Sequence, residues 1–533
     1  MGDLKLRPRL DVSNKGEDQE RRVSNRNLQI GGHLVRRWGV FAASTVALGL
    51  PVAAHAQFGN ATGASPSSAL APSPPPALRS DQISLLMQTL NDAPDQGFGK
   101  SEFMPPGLDA LLRSSSQSER IRGAAQLKSA ILSYAKAQHG LRLPVGQFQK
   151  NWGMRPGPYD PEAEFNFALA GDKLPQWLAA LPPPFDRYHG LQTALVQYRA
   201  IAAKGGWGEV EDGPALSLGS RGARVTALRQ RLAAEDPQGS LDSDGSTFDD
   251  DLQTAVKAFQ HNVALDPSGV VDKKTLAALN ISVDARILQL QANMERWRWV
   301  PRIWPATRIE ANIAAQEMDA FEDNGLALEM RAAPGRPDDQ TPILSSQVES
   351  VVFNPPWNVP ASIATKELWP KEHAHPGYLE SHGYRLISTG GDGGGVRIQQ
   401  KSGPKSALGL MKFDFPNNYS VYLHDTPSHA AFGRSSRAVS HGCVRLQRPR
   451  ELADLLFKDD ADWTTDRVDQ VLADGKTIRA PLDKPVPIFL MYWTAFLDVK
   501  GRVNFRDDVY GWDTDLVGLI AAARNKGWSS GAE

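Results

Sequence analysis

The period of the apolar pattern changes once along this chain, and that change does most to limit its fold. Between residues 81 and 307 apolar residues recur at helical spacing, as in Ile83, Leu85, Leu86 and Leu90, or Ala130, Ile131, Tyr134 and Ala135. From about Arg308 to Thr494 short β-type runs separated by turns take over, such as Val351-Val352-Phe353 and Val421-Tyr422-Leu423. Helical patches there are few, chiefly at 449–457. The expected class is therefore α+β and multidomain: helical units first, then a mainly β unit. A chain of 533 residues has room for about three domains at roughly 150 residues each.

Charge and cysteine content remove several function classes. The 59 Lys+Arg against 60 Asp+Glu give no basic field for nucleic acid, so no nucleic-acid partner is expected. One Cys excludes an intramolecular disulfide and any multi-Cys zinc or iron–sulfur site. Only one long apolar run stands out, at 40–52, which argues against a multi-span membrane protein. Arg36 and Arg37 precede that run and Ala54-His55-Ala56 follows it. This is the pattern of an export signal, with cleavage expected after Ala56 and an uncleaved anchor as the alternative. The folded part is then expected in the periplasm, where an unpaired thiol calls for an explanation.

Residues 1–56 thus read as the signal and 57–80 as an Ala/Ser/Pro-rich linker. Residues 81–210 read as a helical scaffold. Within it, 185–207 place Tyr188, Leu191, Ala194, Leu195 and Tyr198 on one stripe ending at Gly205-Gly206. Residues 215–280 form a compact unit that resembles the three-helix peptidoglycan-binding domain. Its marks are Gly219, Gly222, Val225 and Leu228, then Ala255-Val256 and Phe259-Gln260, then Gly269, Asp272, Thr275 and Leu279. The acidic run 242–251 lacks the oxygen spacing of a calcium loop and reads as a solvated loop. Residues 281–307 read as a connecting helix whose Arg296-Trp297-Arg298-Trp299 packs against the next domain. The catalytic unit is placed at 308–500 with a lid at about 365–405, followed by a C-terminal segment at 501–533. The Gly-rich 390–395 lacks the ending of a phosphate loop and reads as a flap.

The chemistry gathers around Cys443. A thiol becomes a strong nucleophile beside an imidazole or in a positive field. His424 ends an apolar β run 19 residues before Cys443, and His441 lies two residues before it. Gly442 lets the backbone approach a substrate, which suits an oxyanion hole made of the Gly442 and Cys443 N–H groups. Arg445 adds positive charge. The plainer alternative is a small buried cysteine with ordinary histidines around it. Glu372, His373, His375 and His382 could be read as a zinc cluster, but no His-Glu-x-x-His helix is present and the segment is loop-like, so no metal is expected.

His424-Asp425-Thr426-Pro427 followed by Ser440-His441-Gly442-Cys443-Val444-Arg445 resembles the active-site signature of the L,D-transpeptidases, whose catalytic domain is of the YkuD type. Val351-Val352-Phe353-Asn354-Pro355-Pro356-Trp357 and Lys412-Phe413 are similar to the same family's large multidomain Gram-negative members. The resemblance implies a β-sandwich with Cys443 as nucleophile and His424 as general base and later acid. It implies that the Asp425 carbonyl orients the ring and that Gly442 and Cys443 supply oxyanion N–H groups. His441, Ser440, Arg445 and Tyr422 would shape the donor site, with Trp369 and Tyr378 as lid contacts. The implied reaction attacks a peptidoglycan tetrapeptide stem, releases D-Ala through a thioester and forms a 3→3 cross-link. Alternatives are hydrolysis, ligation to a lipoprotein, or a non-catalytic wall-binding scaffold. The implied partners are stem peptides, carbapenem β-lactams as inhibitors, and other wall-synthesis proteins; no cofactor is implied.

Overall fold

The structure is a computed structural model that describes residues 78–236, 241–390, 395–498 and 501–526. The expected signal at 1–56, nearly all of the linker at 57–80, and residues 391–394 of the Gly-rich segment lie outside the described residues. No helix among the described residues is long and apolar enough to cross a membrane.

The first helices are Ser80–Asn91, Gln117–Gln138, Pro161–Ala170 and Leu174–Ala180. They enclose one core in which Leu86, Leu127, Ile131, Tyr134 and Phe165 are buried. Their start signals are chemical. Asp160 accepts the N–H groups of Glu162 and Ala163, and Pro161 occupies a first-turn position whose N–H is not needed.

The helix Asp186–Ala203 buries the stripe expected from its spacing, and the chain leaves it through Gly205 and Gly206 at φ +100° and +76°. Its stripe does not join the core of the preceding helices. Tyr188, Leu191 and Leu195 pack into the same cluster as the helix Val283–Trp297 and the β unit. Sequence spacing gives the face a helix buries, not the partner it buries that face against.

Helices Ala223–Ala233, Asp250–Asn262 and Lys273–Leu279 form a separate small core around Val225, Leu228, Leu252, Val256, Phe259 and Leu279. The acidic run is spent partly on capping. Asp249 accepts the Leu252 N–H at 2.9 Å and pairs with Arg229. The Trp–Arg run is a packing element. Trp297 stacks on Trp493 with centroids 4.5 Å apart. Arg296 pairs with Asp513 at 2.5 Å and Arg298 with Glu295 at 2.8 Å.

The β unit contains β1 (Arg308–Asn312), β2 (Glu317–Glu322), β3 (Gly325–Ala333) and β4 (Leu344–Phe353). The lid strands β5 (Trp357–Asn358), β6 (Tyr384–Ser388) and β7 (Val396–Gln400) follow. Then come β8 (Met411–Asp414), β9 (Leu423–His424), β10 (Val444–Leu446) and β11 (Ile478–Met491). Eight strands close on themselves in the order β1-β11-β4-β8-β9-β10-β3-β2. The mixed α+β class is as expected. The β element is one sheet closed into a barrel rather than two separate sheets, and closure leaves it no open edge. Alternate residues point inward, so Val351, Phe353, Phe413, Leu423, Val444, Leu446 and Leu490 fill its interior. The lid hangs between β4 and β8. It has its own three-stranded sheet, β5-β7-β6, and its own small core of Val359, Ala364, Leu368, Leu379 and Ile398.

Candidate active site

Strand register assembles the site. β8 and β9 pair antiparallel with Lys412 opposite His424, and β9 and β10 pair parallel with His424 beside Arg445 and Leu423 beside Val444. Phe413, Leu423 and Val444 face the barrel core. Alternation therefore sends Lys412, His424 and Arg445 to the opposite face, and Tyr422 and Cys443, two positions before His424 and Arg445, flank the same row. The Val444 N–H donates to the Tyr422 carbonyl at 3.1 Å, which fixes that neighbourhood. His424 thus ends β9, and Cys443 immediately precedes β10, the parallel strand beside it.

His424 is buried, and its Nδ1 lies 2.5 Å from the Asp425 carbonyl oxygen. A carbonyl only accepts, so Nδ1 carries the proton and Nε2 is left as the basic nitrogen. Burial pushes His424 down to about 3, and the charges of Arg445 and Lys412 act in the same direction. Burial pushes the Cys443 thiol up, opposed by hydrogen bonds from Tyr422 and by Lys412 and Arg445. The resting pair is therefore a neutral thiol beside a neutral imidazole. Burial also raises the Tyr422 phenol, while the Trp357 indole N–H acts the other way on its hydroxyl. The Lys412 ammonium lies 4.2 Å from the centre of the Tyr422 ring.

Asp425 keeps its carboxylate busy. Its oxygens accept the Leu410 N–H at 2.8 Å and the Thr426 N–H at 2.7 Å. Those bonds fix the residue whose carbonyl holds His424.

The turn before Cys443 differs from expectation in one respect. Gly442 has φ +111°, a conformation a side chain would resist. Its N–H donates to the Ser440 hydroxyl at 3.1 Å, and that hydroxyl donates to the Cys443 carbonyl. The Gly442 N–H is thus taken inside the turn and is not presented as an oxyanion donor. Among the described residues the Cys443 N–H has no protein partner, so it remains the available backbone donor. The role of Gly442 here is conformational. Its carbonyl accepts the Thr341 hydroxyl at 2.8 Å. Thr341 is held in turn by the Gly335 N–H at 2.8 Å and donates its own N–H to the Tyr510 hydroxyl at 3.2 Å.

His441 points to the lid, where its Nε2 lies 2.6 Å from Glu367 Oε1. Arg445 is half-buried, and its Nε–H has no partner among the described residues. Trp369 and Tyr378 are not brought to Cys443 by any contact among the described residues. Both pack against the lid's own core, Tyr378 with its ring stacked on His382 at 4.0 Å. A lid of this size needs its aromatics to hold itself together. The lid residues that reach the site are Glu367 and Trp357. Neither was singled out for a role in the sequence, where they look like any helical glutamate and strand tryptophan.

The histidine-rich stretch of the lid is spent internally. The Glu372 carboxylate accepts the N–H groups of Gly377 at 3.0 Å and Leu379 at 2.8 Å, and His382 Nδ1 lies 2.8 Å from the Tyr378 carbonyl. No group of three or more metal-ligating side chains is assembled among the described residues.

The closed β unit therefore carries a carbonyl-oriented histidine at the end of β9 and a cysteine just before β10, on the side of the lid residue Glu367. Residues 306–472 match the family model described as the L,D-transpeptidase catalytic domain. Residues 76–195 match a scaffold domain model, and 221–279 match the model "Putative peptidoglycan binding domain". Residues 306–472 are thus similar to the L,D-transpeptidase catalytic domain, and segments similar to a scaffold domain and to a peptidoglycan-binding domain precede them. A Haemophilus influenzae protein named "Putative L,D-transpeptidase" is 36% identical over 250 residues, which are 44% of this chain and 50% of that protein. The chain therefore spans about half the length of this relative. Among solved structures, L,D-transpeptidase 3 from Mycobacterium tuberculosis in complex with a faropenem-derived adduct is 17% identical. That match covers 35% of this chain and 60% of that one, with a TM-score of 0.19. An L,D-transpeptidase from Xylanimonas cellulosilytica is 18% identical, covers 53% and 100%, and also has a TM-score of 0.19. These structural likenesses are too low for any argument to rest on them.

Proposed function

We propose that this protein is an exported, periplasmic L,D-transpeptidase that forms 3→3 cross-links in peptidoglycan. The observation that carries the reading is the pairing of β9 with β10, which sets Arg445 beside His424, whose Nδ1 is held by the Asp425 carbonyl, and brings the chain's one thiol, just before β10, to the neighbouring strand. Nε2 is then the only nitrogen free to take a proton.

In the proposed reaction the Cys443 proton moves to His424 Nε2 as sulfur attacks the carbonyl carbon between residues three and four of a donor tetrapeptide. The Cys443 N–H holds the oxyanion. The carbon–nitrogen bond breaks, His424 returns the proton to the leaving amine, and D-Ala departs to leave a thioester. The side-chain amine of a second stem attacks the thioester carbonyl. His424 takes the amine proton, the carbon–sulfur bond breaks, and the thiolate is reprotonated. Arg445, Tyr422 and Ser440 shape the donor side. The chemistry balances without a metal or cofactor, so EDTA should leave the rate unchanged. In this reading β-lactams, carbapenems among them, acylate the same thiol by ring opening, because a strained amide carbonyl offers Cys443 the same electrophilic carbon. The unit at 221–279 supports a polymeric wall substrate.

The test is incubation of the purified protein with a disaccharide-tetrapeptide, read by mass spectrometry, with Cys443→Ala beside it. A tripeptide–tetrapeptide dimer with D-Ala released, absent for the variant, is expected. Tripeptide monomer alone would replace the reading by hydrolysis. Unchanged substrate would refute the catalytic reading.

A further inference from the structure

The lid touches the cysteine turn through one carboxylate. Glu367 lies in the single π-turn Ala364–Leu368 of the lid, a wide turn that is rare and frequent at functional sites. Ala364 and Leu368 of that turn are buried in the lid core, while the Glu367 carboxylate leaves the lid. Its Oε1 meets His441 Nε2 at 2.6 Å and Arg336 Nη2 at 3.4 Å. Both partners belong to the frame of the turn. His441 is two residues from the nucleophile. The Arg336 N–H donates to the Ser440 carbonyl at 3.0 Å, and its side chain is held by Asp339 at 2.6 Å.

We propose that Glu367 is a positioning residue that latches the lid onto the Ser440–Cys443 turn through His441 and Arg336, so that lid closure and the set of the nucleophile's turn are one event. Three features fit a latch that opens and closes. The contact is a charge-assisted hydrogen bond, which is strong for one link. The partners are partly exposed, 33% for Glu367 and 27% for His441, so water can replace the link when it breaks. The nearby charges keep Glu367 ionised, its carboxyl held below the usual range by His441 and Arg336 against the effect of burial. The other acids of this part of the lid do not reach across. Glu372 is turned back on the lid backbone, and Glu380 is exposed.

The consequence for the acyl-enzyme rests on the function proposed above. A latched lid shields the thioester from water, and an unlatched one admits it.

The first test needs no peptidoglycan. Alkylation of Cys443 by iodoacetamide at one fixed pH is followed by intact mass for wild type, Glu367→Ala, Glu367→Gln and the lid control Glu380→Ala. Loss of an exposed pair of this strength shifts a closed lid by about two- to five-fold. Glu367→Ala should be alkylated faster by that factor, with faster hydrogen exchange in 361–381. Glu367→Gln, which still accepts from His441, should fall between it and wild type, and Glu380→Ala should match wild type. Glu367→Ala and Glu367→Gln both indistinguishable from wild type in alkylation and exchange would overturn the latch. In the second test the ratio of hydrolysed to cross-linked product should rise in Glu367→Ala. A latch seen by alkylation in a protein that forms no cross-link would refute the function and leave the latch standing.

Discussion

Acid should unfold this protein partly through one residue, His424. Burial holds its imidazole at about 3 in the folded state, against about 6.5 for a free imidazole. As pH falls below 6.5 the unfolded chain takes up a proton that the folded chain refuses. The unfolded state then binds more protons, so stability is lost, and the loss continues until the folded group also titrates near pH 3. Above 6.5 the residue contributes no pH dependence. At 1.36 kcal/mol per unit, the loss is about 2 kcal/mol at pH 5 and on the order of 4 to 5 kcal/mol at pH 3. The site is fully buried, so solvent screening removes little of it. The assay is urea unfolding followed by tryptophan fluorescence at pH 8 and pH 5, for wild type and His424→Gln. Other acid-sensitive groups, such as His139, which burial pushes down to about 4, and Asp319, which burial pushes up to about 7, are common to both proteins and cancel in the difference. Wild type should lose about 2 kcal/mol more than the variant between the two pH values. Equal losses would show that His424 titrates as a hydrated imidazole and would refute the neutral-pair description of the site.

Three further outcomes are expected. Because burial raises the Cys443 thiol, trapping by iodoacetamide should climb about tenfold per pH unit from pH 6 to 9; a plateau below pH 7 would reveal a preformed thiolate–imidazolium pair. Gly409 has φ +57°, and a Cβ there would stand 2.3 Å from the Asp425 carboxylate, so Gly409→Ala should cost about 2 to 4 kcal/mol by thermal melting and slow carbapenem acylation of Cys443. Tyr510→Phe removes the hydroxyl that donates to the Gly335 carbonyl at 2.5 Å and accepts the Thr341 N–H; it should cost about 1 to 3 kcal/mol and speed amide exchange in 439–443, while unchanged exchange would separate Tyr510 from the cysteine turn.

What could be read from the sequence follows the distance over which each feature is decided. The Cys443 site is legible because its chemistry is written in two short runs, 424–427 and 440–445, whose residue types have few other uses together. The helix faces are legible for the same reason, since period is a local property. The partner of a face is not. The Tyr188–Tyr198 stripe reads as apolar on one side, yet only the tertiary fold assigns it to the barrel's cluster instead of the scaffold's. Barrel closure is likewise decided by pairings such as Ile309 with Ile488, which no local pattern encodes.

The misassigned donor at Gly442 is a different case, because a local signal existed. A serine two residues before a glycine with positive φ can take the backbone N–H into a small side-chain turn. Ser440 does so, and it converts Gly442 from an electrostatic participant into a conformational one. Trp369 and Tyr378 suggest substrate contacts by their chemistry, and in the structure the lid's own core lays claim to part of both rings. That claim leaves polar side chains at the lid's rim to make the connection to the nucleophile. Glu367 makes it across 74 residues of sequence. The chemical groups of this site are therefore local in sequence, while the groups that set them in place, Glu367, Thr341 and Tyr510, come from distant segments. Substitution at the first set should abolish chemistry, and substitution at the second should change how often the site is correctly formed.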